Sequence, residues 1–177
     1  MIKLMKTIEN RFRVATLVSN LGIGGTEKTI QLLLSGLNSD IFLNSVFMLE
    51  GNNVDRLHYF DKLNISVFSA KTKTLSQFLK DFKPHIVHWH RGGWSESGPF
   101  EICKEEKVPI LIETNIFGAV DLSEIYSHVD KTLFVSKFCA LRYGNRAILN
   151  EKKHAVLYNP IKDSLSVSNP LMASFTE

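Results

Sequence analysis

The residues Ser19-Asn-Leu-Gly-Ile-Gly-Gly-Thr-Glu-Lys28 join an apolar run, Phe12–Val18, to an amphipathic run, Thr26–Leu37. That order predicts a strand, a glycine-rich loop and a helix. Glycines in such a loop let the backbone take positive φ and approach a ligand closely. The helix start that follows offers unpaired N–H groups and the positive end of a dipole, which suits an anion. The first strand-to-helix connection therefore reads as a binding surface.

The pattern continues outward from it. Further strand-like runs are Ile41–Leu49, Ile65–Phe68, His85–His90, Ile110–Glu113, Thr132–Val135 and His154–Leu157. Helix-like runs lie between them: Val54–Leu63, Leu75–Phe82, Gly98–Glu106 and Lys137–Gly144. Ile41–Leu49 and Ile110–Ile112 are almost continuously apolar, as strands covered on both faces are. Strands alternating with helices predict an α/β, Rossmann-like, three-layer domain with a mostly parallel sheet. Ligands of such sheets bind beyond the carboxyl ends of the strands. Residues 11–161 are read as this domain, residues 1–10 as an N-terminal extension, and the Ser- and Asn-rich residues 162–177 as a hinge or tail.

The totals narrow the class. The chain has 177 residues, 44% of them hydrophobic and 22% charged, which is ordinary globular composition. The net charge of +3 is too small to imply nucleic acid and does not oppose an anionic ligand or membrane surface. Cys103 and Cys139 form no CxxC, so neither a disulfide framework nor a cysteine zinc site is expected. The N-terminus has no sustained apolar stretch of the signal-peptide kind, and no run is long enough to span a membrane. A cytoplasmic location is expected, with peripheral membrane contact compatible.

The loops after the strands hold the candidate site. Gly22, Gly24 and Gly25 follow the first strand, but Glu27 stands where a dinucleotide fingerprint needs its third glycine. Glu50, at the end of the second strand, is placed as a ribose-binding acid would be, yet the broken fingerprint argues against NAD. The Gly-Lys-Ser/Thr of a P-loop is also missing. The plain alternative is a flexible loop with Thr26 as N-cap and Glu27 complementing the dipole. In the fourth strand, His88 and His90 share one face by the period of two, and His85 points the other way. No third ligand has suitable spacing, so no metal is expected; either histidine alone reads equally well as a satisfied, half-buried residue. Arg91 can fork onto phosphate or carboxylate, Gly92 and Gly93 permit close approach, and Trp94 offers an indole face to a sugar ring, an apolar tail or ordinary packing. Asn115 suits a hydroxyl-rich ligand or caps its own loop, and Ser136 reads most simply as an N-cap.

Five segments, taken together, resemble a known family. Gly24-Gly25-Thr26-Glu27-Lys28 resembles the GG-x-E-[KR] element of family 4 glycosyltransferases. Ile86-Val-His88-Trp-His90 resembles their H-x-H segment, and Val108-Pro-Ile-Leu-Ile-Glu-Thr-Asn115 their V-P-…-H segment. Phe134-Val-Ser136-Lys-Phe resembles V-S-[EK], and Val156-Leu-Tyr-Asn159-Pro160-Ile161 resembles the I-x-N-[GP]-[IV] stretch that leads into the interdomain hinge. The resemblance implies one half of a GT-B fold, the half that binds the acceptor. It implies metal-independent, retaining transfer from a nucleotide-sugar that is a co-substrate held mainly by a second domain. No other cofactor is implied.

Two departures matter. Asn115 stands where many members have a histidine, and it cannot titrate. The chain ends just past the hinge segment, so the donor domain is expected to be missing and the chain to be inactive by itself. Glu105 and Glu113 have the spacing of the family's glutamate pair, but Pro109 lies between them and the match reads as coincidence. The substrate-binding set is then Gly24, Gly25, Thr26, Glu27, His88, His90, Arg91, Gly92, Trp94, Asn115 and Ser136, with no catalytic residue assigned. The expected partners are a sugar or lipid-linked acceptor, a donor-domain chain, and a second copy packed through a cleft face bearing Trp94 and Phe117. The alternatives are a non-catalytic module for glycans or lipid-linked sugars, and an unrelated Rossmann enzyme using NAD or S-adenosylmethionine.

Overall fold

A computed structural model describes residues 11–96 and 98–161. The expectations for residues 1–10 and 162–177 lie outside the described residues. Seven strands form one parallel sheet: β1 (Phe12–Val18), β2 (Phe42–Met48), β3 (Ser66–Ser69), β4 (Ile86–Arg91), β5 (Ile110–Asn115), β6 (Lys131–Phe134) and β7 (His154–Val156). Their spatial order is β3-β2-β1-β4-β5-β6-β7, with every neighbouring pair parallel. The connections carry α1 (Gly25–Gly36), α2 (Leu57–Lys62), α3 (Leu75–Phe82), α4 (Gly98–Glu105) and α5 (Lys137–Gly144), with a 3-10 turn at Glu124–His128. The sequence pattern anticipates all of these except the 3-10 turn.

Helices cover both faces, so the core is split by the sheet. On one face, Ile30 and Leu34 of α1 and Phe60 of α2 pack on Val18, Val46 and Met48. On the other, Leu75, Phe78 and Leu79 of α3, Phe100 and Cys103 of α4, and Tyr143 of α5 pack on Leu17, Phe47, Val87, Trp89, Leu111 and Phe134. Strand side chains alternate between the layers, which makes parity a guide to which layer a residue enters. Helix ends are placed by local chemistry. Thr74 and Gln77 close a capping box on α3, and Lys83 ends that helix in the left-handed region at φ 49°, directly before Pro84.

The strand order reverses between β1 and β4. Crossovers from β1 run to one side of the sheet and those after β4 to the other, leaving a crevice at the carboxyl ends of these two strands.

Candidate functional site

The glycine-rich loop leaves β1 at that crevice. Asn20 fixes it: its side-chain amide donates to Glu50 Oε2 at 2.8 Å, and its Oδ1 accepts from the backbone of Asn52 at 2.7 Å. Glu50 is thus engaged with the loop. α1 begins at Gly25 with Gly24 as N-cap, and no side chain caps it. Thr26 is therefore inside the first turn and is not the N-cap that the plain reading supposed. Glu27, at the third helical position, folds back over the N-terminus, where its carboxylate fills the space a side chain on Gly24 would need. A Cβ on Gly25 would meet nothing within 4 Å.

His88 and His90 project from β4 toward α1, their rings 4.2 Å apart. His88 Nε2 is 2.8 Å from Thr114 Oγ1 of β5. His90 is 4% exposed and its Nε2 has no hydrogen-bond partner. Burial pushes the His88 pKa down to about 4. Burial, reinforced by the neighbouring His88, pushes His90 down as well. Both imidazoles are neutral near pH 7, so each has one N–H donor and one acceptor nitrogen. His90 lines a pocket of about 180 Å³ with Gly25, Thr26, Thr29, Thr114 and Asn159. Unpaired buried polar atoms are costly, and the native exceptions call for a reason. Here the exception borders a pocket of hydroxyl and amide groups at an uncapped helix start.

Arg91 goes elsewhere, and parity is the reason. It points to the opposite layer, stacking 4.7 Å above the Trp89 ring and 5.5 Å from that of Phe100. Its Nε donates to Glu113 Oε1 at 2.8 Å, one terminal nitrogen donates to Asp121 Oδ2, and the other to the carbonyls of Trp94 and Glu96 at 2.8 and 3.2 Å. The three charged side chains have at most 2% exposure. Burial raises the Glu113 pKa despite the pull of Arg91. Burial also pushes Asp121 upward, but bonds from Ser123 and Arg91 outweigh it and the net shift is down. Asp121 is the firmer partner of the guanidinium.

Asn115 shares this parity. Its amide donates to Ala119 O and its Oδ1 accepts from Gly118 N, both at 2.8 Å, so the side chain closes its own turn. Gly92 and Gly93 carry the chain past it. A Cβ on Gly93 (φ 93°) would collide with the Asn115 amide, and one on Gly92 with the indole of Trp94. Trp94 lies outside, half-exposed and stacked on Phe117. Ser136 caps α5, accepting from Cys139 N at 3.2 Å.

Of the sequence-derived set, the structure thus gathers Gly25, Thr26 and His90 around one pocket, with Gly24 and Glu27 adjoining and His88 behind. Arg91 and Asn115 face the other layer, Gly92 and Trp94 lie on its surface loop, and Ser136 caps α5. Thr29, Thr114, Ile116, Val135 and Asn159 also line the pocket and are absent from that set. Thr114 was legible by parity, since it pairs with His90 across β4 and β5. A larger hollow, about 820 Å³, opens between α4 and the 3-10 turn. None of its lining residues belongs to the sequence-derived set, and its Lys104 and His128 are bonded to each other at 2.7 Å. No group of three or more metal-ligating side chains occurs among the described residues, and no helix there is long and apolar enough to cross a membrane.

Comparison with solved structures places this architecture. MurG of Acinetobacter baumannii superposes with a TM-score of 0.60 at 11% identity, over 88% of this chain and 47% of that one. The lipopolysaccharide outer core galactosyltransferase WaaB superposes at 0.59 and 16%, over 85% and 46%. A UDP-GlcNAc 2-epimerase from Neisseria meningitidis, bound to UDP-GlcNAc, superposes at 0.55 and 15%, over 93% and 52%. The fold is a Rossmann-like domain of the GT-B type. The chain spans about half the length of these structures. No protein-family model and no curated protein matches the sequence. The domain is glycosyltransferase-like in fold, and an epimerase shares that fold, so chemistry has to be argued from the site.

Proposed function

We propose that residues 11–161 form the acceptor-binding domain of a retaining, nucleotide-sugar-dependent glycosyltransferase of the family 4 type. The carrying observation is the unpartnered Nε2 of buried His90 beside a pocket lined by Thr26, Thr29, Thr114 and Asn159. A neutral imidazole, three hydroxyls and an amide suit a hydroxylated ring, because each can donate or accept. Glu27, folded over the α1 N-terminus, supplies a strong acceptor for a sugar hydroxyl. It also offsets the helix dipole, so the pocket favours a polyol over a bare phosphate. At about 180 Å³ the pocket is smaller than most ligand sites, as one wall of a cleft is. The nucleotide-sugar is taken mainly by a second domain, on a longer form of this chain or on a partner chain. Work at a membrane surface on a lipid-linked acceptor is compatible with this assignment.

A non-catalytic glycan-binding module is the second reading, and specific observations favour it. Burial lowers the pKa of both imidazoles, which weakens them as bases, and the Asn115 amide is already engaged. The test is imidazole ¹⁵N NMR of the chain titrated with free and phosphate-linked hexoses and N-acetylhexosamines. Acceptor binding shifts the His90 resonance, and His90→Ala abolishes the interaction. Sugar binding of wild-type strength in His90→Ala removes the pocket from the assignment. Nucleotide-sugar turnover by the isolated chain at an ordinary enzymatic rate refutes the division between two domains. Binding without transfer, after a donor domain has been supplied, selects the second reading.

A further inference from the structure

The geometry points to Trp94 and Phe117 as a stacking platform for a sugar ring of an extended glycan, a subsite separate from the His90 pocket. The two rings lie 5.5 Å apart and 8° from parallel, each about half-exposed. Water disfavours leaving such surface open, and single exposed aromatics are common enough to need no explanation. What is uncommon is the amount of structure committed to holding this pair.

Trp94 is fixed from three directions. Arg91, 4% exposed, donates to its carbonyl at 2.8 Å. Its indole N–H donates to Glu96 Oε1 at 3.2 Å. Its ring lies over Gly92, where any Cβ would collide with it. Phe117 is fixed by the Asn115 turn, which closes on Gly118 at φ 65°. The two loops are also joined, since Leu122 N donates to Ser95 Oγ at 3.0 Å and Arg91 bonds both Glu96 O and Asp121. The platform is therefore rigid before any ligand arrives, which lowers the ordering cost of binding. It adjoins the pocket in sequence, since Ile116, the residue before Phe117, lines that pocket.

The chemistry selects the occupant. The outer faces that the stacked pair leaves open can accept the apolar C–H face of a pyranose, and the exposed Glu96 carboxylate at the indole edge accepts hydroxyl hydrogens. A lipid surface would have to bury that same charged carboxylate with only the indole N–H as its partner. The platform accordingly takes a residue of a glycan beyond the one held at His90. The inference rests on the acceptor-side reading for its role, though not for its binding chemistry.

The experiment screens the chain on a glycan array with hexose, N-acetylhexosamine, heptose and uronic acid termini. The best-bound glycan is then titrated into wild type and every variant by isothermal titration calorimetry, with tryptophan fluorescence as a second readout in the proteins that keep Trp94. Trp89 is 2% exposed, so the change reports Trp94. Trp94→Phe is expected to bind within about threefold of wild type, and Trp94→Leu and Phe117→Ala each about tenfold more weakly. Leucine keeps the apolar character and removes the flat face. Both positions are exposed, and unchanged thermal melts confirm that the variants fold. Wild-type affinity in Trp94→Leu overturns the platform, as does the absence of any bound glycan. Trp94-dependent partition onto phosphatidylglycerol vesicles without glycan capture overturns it in favour of a lipid surface. If Trp94→Leu weakens binding and His90→Ala does not, the platform stands and the acceptor assignment of the pocket fails.

Discussion

Replacing Arg91 with alanine is expected to destabilise the fold, and the cost follows from what the guanidinium leaves behind. Glu113 and Asp121 each have 0% side-chain exposure, and the carbonyls of Trp94 and Glu96 lose their donor. Removing one member of a buried ion pair costs about 3–5 kcal/mol, because the remaining charge cannot reach water. For a domain of this size each kcal/mol lowers Tm by about 2–4 °C, so a drop on the order of 10 °C is expected. Thermal and urea melts by circular dichroism at pH 7 measure it. The deficit should shrink as the pH is lowered, since burial already raises the Glu113 pKa and a protonated Glu113 carries no stranded charge. An Arg91→Met, Glu113→Leu, Asp121→Asn triple variant should recover part of the loss, because it leaves no buried charge stranded and apolar replacements of buried ion pairs are often nearly neutral. If Arg91→Ala melts within about 2 °C of wild type and glycan binding is lost, the guanidinium serves a ligand directly and the structural argument is wrong.

Three further outcomes can be checked together. The folded-state pKa of His88 lies below its unfolded value of 6.5, so its stabilising contribution is complete above pH 6.5 and is lost as the pH falls toward about 4. The shift corresponds to roughly 3 kcal/mol, with His90 acting in the same direction, and a flat Tm between pH 7 and pH 5 would contradict it. Gly25→Val should leave Tm nearly unchanged, because its Cβ meets open space, and should block the pocket in the NMR titration; unaltered binding removes Gly25 from the site. Gly93→Ala, at φ 93° and against the Asn115 amide, should cost about 1–3 kcal/mol, and a urea midpoint equal to wild type would show that the turn is not strained.

The fold was legible because burial on both sheet faces leaves a plain mark: Ile41–Leu49 and Ile110–Ile112 are almost unbroken apolar runs. The 3-10 turn at Glu124–His128 was not, since three residues per turn over five positions make no periodic signal. Within the site, the period-two argument that joined His88 to His90 also sends Arg91 and Asn115 to the other layer, and it would have brought in Thr114 as well. Sequence shows that Arg91 can fork onto a carboxylate; only packing shows that the carboxylates are Glu113 and Asp121, the second reached across a long loop. Thr26 looked like an N-cap by residue type, but the helix starts earlier, at a glycine. Asn159 entered the pocket through the assembly of β6 with β7, which no local pattern encodes.

The pocket draws on Gly25, near the start of the described chain, and on Asn159, near its end. Between them stand β1, β4, β5, β6 and β7, each placed by its neighbour. No partly folded species that lacks the last strand can complete this wall, so binding competence appears only once β7 has paired with β6. A ligand held there is linked to global unfolding and not to the fraying of one loop. Its arrival should slow hydrogen exchange across the whole sheet, including β1 amides on the far side of Gly25 from Asn159, by one common factor.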